Sequence, residues 1–124
     1  MIPLTVYTNE IISPAADTTY DAKIGLMYVS DYGYAAASSA WNTTLYDYDS
    51  SSVTSDNWMY MGHYDWTILP NSSVDYSVFS VGSRGFVYEN NTNSGYGLRP
   101  VFYLNADVTY VSGNGTKNEP FIIN

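Results

Sequence analysis

Gly95-Tyr96-Gly97-Leu98-Arg99-Pro100-Val101-Phe102-Tyr103-Leu104-Asn105 is the stretch on which the reading of this chain turns. Two glycines lead into a run of β-formers, the pattern of a strand buried on both faces. Pro100 stands at its start, where a missing N–H is tolerated. Arg99, one of only four basic residues, sits at the mouth of that apolar run, and a cation placed there has to be paired or solvated. Twelve acidic residues make a carboxylate partner easy to find, so the stretch predicts a structural ion pair.

The composition narrows the classes of function. A chain of 124 residues is long enough for one core and too short for two, so residues 1–124 are read as a single domain. Charged residues are only 13%, and Tyr, Ser, Thr and Asn fill the polar positions, a mix that suits pleated surfaces and turns. Fourteen tyrosines supply broad apolar area with a hydroxyl at little cost in side-chain entropy. This is the composition of a contact surface, or of a β-rich protein kept from aggregating by hydroxyls instead of charges. The net charge of −8 argues against nucleic acid, whose affinity comes from Lys and Arg on phosphate, and against anionic membrane surfaces. Without cysteine there is no disulfide, thiolate metal site or thiol nucleophile. Met1-Ile2-Pro3-Leu4 lacks the basic and apolar regions of a signal peptide, and no apolar run is long enough to span or insert into a membrane.

Along the chain, Leu4 to Thr8 alternates apolar and polar residues and reads as a short edge strand. Lys23 to Val29 is a second apolar run; Ser30 then reads as the N-cap, with Asp31 in the first turn, of a short helix ending near Ala37. Ser38 to Asn57 reads as a long surface loop with Trp41, Leu45 and Val53 as anchors. Two short strands are expected at Trp58 to Gly62 and Tyr64 to Pro70. A hairpin is expected from Ser77 to Val81 and Gly85 to Glu89, then a polar loop at Asn90 to Ser94. A last hairpin is expected from Val108 to Val111 and Pro120 to Ile123 around Gly113-Asn114-Gly115.

Candidate residues follow from this map. Tyr46, Tyr48, Tyr60, Tyr64, Tyr76, Tyr88 and Tyr96 stand beside Asn- and Ser-rich segments and are candidates for ligand contact. Asp65, between Tyr64 and Trp66 on a strand, points away from both and is expected to pair with Arg99 or Arg84. Trp66, Trp58 and, less clearly, Trp41 read as core. His63 lies within reach of Asp65, but a general base also needs a nucleophile in front of it, and a loop histidine is the simpler reading. Asp47, Asp49, Asp56 and Asn57 offer oxygens of the kind calcium takes, without EF-hand spacing; a solvated acidic loop is preferred, so no cofactor is expected, with calcium the one exception weighed. Asn42, Asn71, Asn90 and Asn114 head glycosylation sequons, which matter only in a glycosylating host.

Three segments in order resemble a known family. Ile24 to Ala36 resembles the strand-into-helix segment of the formylglycine-generating, sulfatase-modifying-factor branch of the C-type-lectin fold. Tyr64-Asp65-Trp66-Thr67 is similar to its tryptophan-acid-tryptophan-threonine motif, and Gly97-Leu98-Arg99 to its closing strand. The whole also resembles the C-terminal part of an uncharacterised domain of bacterial surface proteins, through Tyr96 to Leu104 and the ending Val111 to Phe121. The likeness covers about Lys23 to Ile123, with Met1 to Ala22 as a shortened or atypical N-terminal part. It implies an α+β, C-type-lectin-like fold, with a small twisted, mostly antiparallel sheet, one short helix and long loops. Relatives diversified by retroelements vary just before the closing strand, which implies Asn90, Asn91 and Asn93 as contact residues. The family's enzymes use cysteines or a histidine cluster, and this chain has no Cys and only His63.

The expected function is a non-enzymatic binding module for a protein or glycan at a cell or phage surface, hence extracellular. The alternatives are a structural subunit of an extracellular filament joined through sheet edges, as a homo-oligomer, and a metal-assisted enzyme of the sulfatase-modifying type.

Overall fold

The computed structural model describes residues 1–14, 21–114 and 118–124. The architecture is α+β, with short helices in the first half and small antiparallel sheets in the second. Helix α1 (Pro3–Tyr7) runs on into a π-helical turn, Thr8–Ile12. Strand β1 (Gly25–Leu26) precedes α2 (Val29–Tyr34). Single 3-10 turns at Ser38–Ala40 and Leu45–Asp47 lead to α3 (Ser51–Thr54). Strands β2 (Asp65–Pro70), β3 (Ser77–Val81) and β4 (Val87–Asn91) form one sheet in sequence order. β5 (Pro100–Val101) pairs with β1, and β6 (Tyr110–Ser112) pairs with β7 (Ile122–Ile123).

The expected edge strand at Leu4 to Thr8 is a helix. Pro3 at its first position presets the backbone and has no N–H to leave unpaired, and its buried residues, Pro3 and Val6, are three apart as a helix requires. Five alternating residues fit both periods, and the packing decides. α1 lies on α2 at Gly33, where an added Cβ would stand 2.9 Å from Pro3 Cγ and 3.1 Å from Leu45 Cδ2. The close approach needs glycine.

α2 does not start with the expected Ser30 cap. Its N-cap position is Tyr28, which makes no side-chain cap bond. The first turn is closed from outside instead: Val29 N–H donates to Glu10 Oε1 at 2.9 Å and Ser30 N–H to Glu10 Oε2 at 3.0 Å. One carboxylate thus satisfies two of the N–H groups that every helix leaves orphaned. Burial holds the Glu10 carboxyl above its ordinary range in spite of these two donors.

Ser38 to Asn57 lies largely at the surface, wound into short turns and α3, with Leu45 and Val53 as the expected anchors. Leu45, Tyr48, Val53 and Asn57 turn inward to join Val6, Met27, Val29, Tyr32, Val81 and Val87 in the core between the helices and the sheet. Irregular backbone leaves carbonyls without ladder partners, and buried side chains supply the donors. The Tyr48 hydroxyl reaches Gly33 O at 3.1 Å and Ala40 O at 3.2 Å, and Tyr32 donates to Gly85 O at 2.7 Å. Asn57 Nδ2 donates to Tyr32 O at 3.0 Å while its Oδ1 accepts from Met59 N–H.

The Ser77 to Glu89 hairpin forms as expected, with Val81 opposite Val87 and the turn at Gly82 to Phe86. Gly85 holds a positive φ of 101° there. Trp58 to Gly62 is not a strand, and Trp58 is exposed. The apolar run after Arg99 is a strand only at Pro100–Val101, and Phe102, Tyr103 and Leu104 lie in the open, not buried on two faces. The last hairpin forms, though the Gly115 of its expected turn lies outside the described residues.

Two outcomes follow. Glu10→Ala should lower unfolding stability in urea by about 1 kcal/mol, the usual worth of a helix cap. Burial raises Tyr48 from 10.0 up to about 12 and pushes Tyr32 up as well. A raised pKa means that the protonated hydroxyl favours the fold, so this stability is intact below pH 10 and is lost as pH climbs through about 12. The last part of the tyrosinate absorbance rise in an alkaline titration should therefore coincide with loss of the near-ultraviolet circular dichroism signal.

Candidate functional site

The expected ion pair is present, and it builds the site. Asp65 opens β2 with its side chain buried; its Oδ2 lies 2.9 Å from Arg99 Nη2 and its Oδ1 3.2 Å from His63 Nδ1. Arg99 also donates from Nη1 to Met59 O at 2.7 Å and reaches Met27 Sδ from Nη2 at 3.6 Å. Arg84, the other candidate partner, pairs instead with Asp49 at the surface, 3.3 Å away.

Arg99 can reach Asp65 because the chain just before it is held along β2. Gly97 N–H donates to Tyr64 O at 2.8 Å and Trp66 N–H to Gly97 O at 3.0 Å, a short parallel bridge. A Cβ on Gly97 would sit 3.0 Å from Tyr64 O and 3.1 Å from Asp65 Oδ1, so only a glycine approaches this closely without displacing them. The bridge fixes the place of Tyr96. Strand alternation sends Asp65 inward and Trp66 outward, and the Tyr96 ring lies between two neighbours. Tyr64 is stacked on it at 4.6 Å between centroids, and Trp66 is tilted at 4.8 Å.

The aromatic cluster extends across the sheet. Trp66, Ser80 and Tyr88 are cross-strand neighbours in register, and the small buried Ser80 lies between the two rings. Tyr96 donates its hydroxyl to Asn90 Oδ1 at 3.0 Å, Asn90 Nδ2 donates to Ser80 Oγ at 2.8 Å, and the Tyr88 and Tyr96 hydroxyls are 3.5 Å apart. Because the Tyr96 proton points at Asn90, the Tyr88 hydroxyl is the donor to Tyr96. Asn90 and the Tyr64 hydroxyl stand on its accepting side, so the four side chains form one network. Burial, and next the Tyr96 hydroxyl, raise the Tyr88 pKa. Phe86 continues the row, 4.9 Å from Tyr88, with the Arg84 guanidinium 5.5 Å above its ring.

Four of the candidate contact residues therefore meet: Tyr64, Tyr88, Asn90 and Tyr96. Asn90 and Asn91 belong to β4 and not to a loop; with Asn71, Tyr76, Ser77 and Ser94 they line a polar groove of about 320 Å³ at the end of the hairpin. Asn93 is exposed beyond it. Tyr46 is exposed and tilted against Phe86 at 6.2 Å between centroids, at the rim of a recess of about 380 Å³ that Tyr88 also lines, with Met1, Leu45, Phe79 and Val87.

Tyr48 must be withdrawn from the contact set, because its ring has no exposed surface and its hydroxyl is bonded to backbone. Tyr60 is half-buried and donates to Ser83 O at 2.9 Å, which makes it a strut under the hairpin turn. Trp66, read as core, is half-buried on the outer face beneath Tyr96. Trp41 is more exposed than buried partners would leave it, and its Nε1–H donates to Ala36 O at 3.0 Å. Phe86 was not a candidate, yet the alternation Phe86-Val87-Tyr88-Glu89-Asn90 places it on the same face as Tyr88 and Asn90.

The four oxygen-bearing residues considered for calcium do not act together. Asn57 is buried and spends its amide on the backbone, Asp49 pairs with Arg84, and Asp47 accepts from Thr44 at 2.6 Å. Among the described residues no three His, Asp or Glu side chains come together as a metal site, and no helix is long and apolar enough to cross a membrane. No family model, curated protein or solved structure matches the chain.

Removing one partner of a buried pair strands the other's charge. Arg99→Ala should therefore cost about 3 kcal/mol in urea unfolding and loosen the Tyr96 stack with it, seen as a weaker near-ultraviolet circular dichroism signal. Arg84→Ala, which breaks only an exposed pair, should change stability by less than about 1 kcal/mol.

Proposed function

We propose that this chain is a non-enzymatic recognition module whose contact face is the aromatic cluster of Tyr64, Trp66, Tyr88 and Tyr96, edged by Asn90 and Asn91. The observation that carries the proposal is the stack of Tyr64 on Tyr96 and Trp66, placed by an ion pair and a backbone bridge that use none of the rings' outer surface. Such a face costs little to present, because the rings are already held in place. Its chemistry is an apolar ring surface bordered by amides and hydroxyls, which suits a protein loop or a sugar ring.

The same reading takes the fold as C-type-lectin-like. Support comes from the order of β1 into α2, the Tyr64-Asp65-Trp66-Thr67 strand, and the closing stretch laid along it at Gly97. The ligand is a protein or glycan met at a cell or phage surface, outside the cell. A catalytic reading finds less support: His63 has its Nδ1 directed at a carboxylate that is already shared with Arg99.

The test is a binding screen of the immobilised chain against glycan arrays and cell-surface protein extracts, followed by the Tyr64→Ala variant. Tyr64 is partly exposed and makes its ring contact from the outside, so its removal should leave stability within about 1.5 kcal/mol of the parent, the worth of one aromatic pair. Retention on any ligand found should fall at least tenfold. Retention unchanged in Tyr64→Ala would place the contact face elsewhere.

A further inference from the structure

The last quarter of the chain carries an open apolar ribbon apart from the aromatic cluster. The β6–β7 ribbon packs substantially on no other element, and an isolated two-stranded ribbon is at best marginal in water. Its side chains and those of the run before it are apolar and largely uncovered. Phe102, Leu104, Tyr110, Val111, Phe121 and Ile122 are all more than half exposed, with Tyr110 at 66% and Phe121 at 64%. Successive residues of a strand face opposite sides, so Tyr110, with Phe121 6.2 Å away and Ile123 across from it, lies on one side of the ribbon and Val111 on the other. Both sides of the ribbon are therefore open, and a strand added at its edge covers part of each.

We infer that this ribbon is completed by a second copy of the same chain, joined about a twofold axis through antiparallel pairing of β6 with β6. Three observations favour a copy over another kind of partner. Each strand of the β6–β7 sheet has one edge without a strand partner among the described residues, and antiparallel pairing of identical strands supplies a matching edge by symmetry. Asp31 stands beside the preceding run, bonded to Tyr103, but β6 and β7 themselves carry no charged residue, so two chains of charge −8 can meet along β6 with no like charges in the paired strands. A partner recognised by basic groups would find its carboxylates elsewhere, around Asp47 and Asp49. The paired sheet would run β7-β6-β6-β7, with the apolar side chains of the two ribbons packed against one another. Salt should tighten the association, because it screens the like charges that surround the ribbon.

The test is the mass of the full chain in solution by light scattering and sedimentation, from micromolar to millimolar concentration and at two salt concentrations. The expected result is reversible doubling from 13.8 kDa, tighter at high salt. The backbone amides of Tyr110 to Ser112 should gain hydrogen-exchange protection as concentration rises. The double variant Val111→Glu with Ile122→Glu should stay monomeric while its core melts as in the parent. If that variant does not fold, the exchange comparison on the parent chain decides alone. A parent that is monomeric with unprotected ribbon amides throughout, a doubling that survives in the folded double variant, or masses that climb past two copies would each overturn the inference. Since Tyr64 and its neighbours take no part, failure here would leave the recognition reading standing, and the reverse holds too.

Discussion

The buried carboxylate of Asp65 is the constraint that the rest of the molecule answers to. A charge taken out of water is tolerated only with a counter-charge and hydrogen bonds to match, and Arg99 provides both by reaching across from a stretch more than thirty residues later. To do so it must be carried in on Gly97, which lies against β2, and continue into Pro100–Val101, which pairs with β1. One electrostatic requirement thereby gathers β1, the Met59 carbonyl, β2 and the closing stretch around a single point. The aromatic cluster is a consequence of that docking, since Tyr96 cannot lie elsewhere once Gly97 and Arg99 are placed.

Tyrosine does two jobs in this protein, and composition alone does not separate them. In the first half the chain has few long ladders, so its carbonyls need donors; Tyr32, Tyr48 and Tyr60 provide hydroxyls to Gly85, Gly33, Ala40 and Ser83 while their rings fill the core. In the second half Tyr64, Tyr88 and Tyr96 lie on the outside of the sheet and bond mainly to one another and to Asn90. The inward set is what allows so irregular a chain to be compact. The outward set is held in place without bearing the load of the core.

The parts of this arrangement that were legible in the sequence are those governed by short-range or obligatory physics. Arg99 in an apolar context demanded a carboxylate, strand alternation sent Asp65 and Trp66 to opposite faces, and Gly82-Ser83-Arg84-Gly85 marked a hairpin. What escaped was set by distant partners. Leu4 to Thr8 carried an alternation too short to distinguish the two periods, and only the contact of Pro3 with Gly33 made it helical. Ser30 had the chemistry of a cap, but Glu10 took the position from nineteen residues away. Ser38 to Asn57 read as surface and mostly is, but Tyr48 and Asn57 escaped, because the rule that polar means exposed fails when a hydroxyl or amide is bonded to backbone. Phe102 to Leu104 failed in the opposite sense, apolar and yet uncovered.

The clasp of Glu10 on Val29 and Ser30 has a mechanical side. The opening segment grips α2 at two separate places, Pro3 against Gly33 and the Glu10 carboxylate on the first turn. A displacement of that segment is therefore felt at both, and the pair moves as one lever arm.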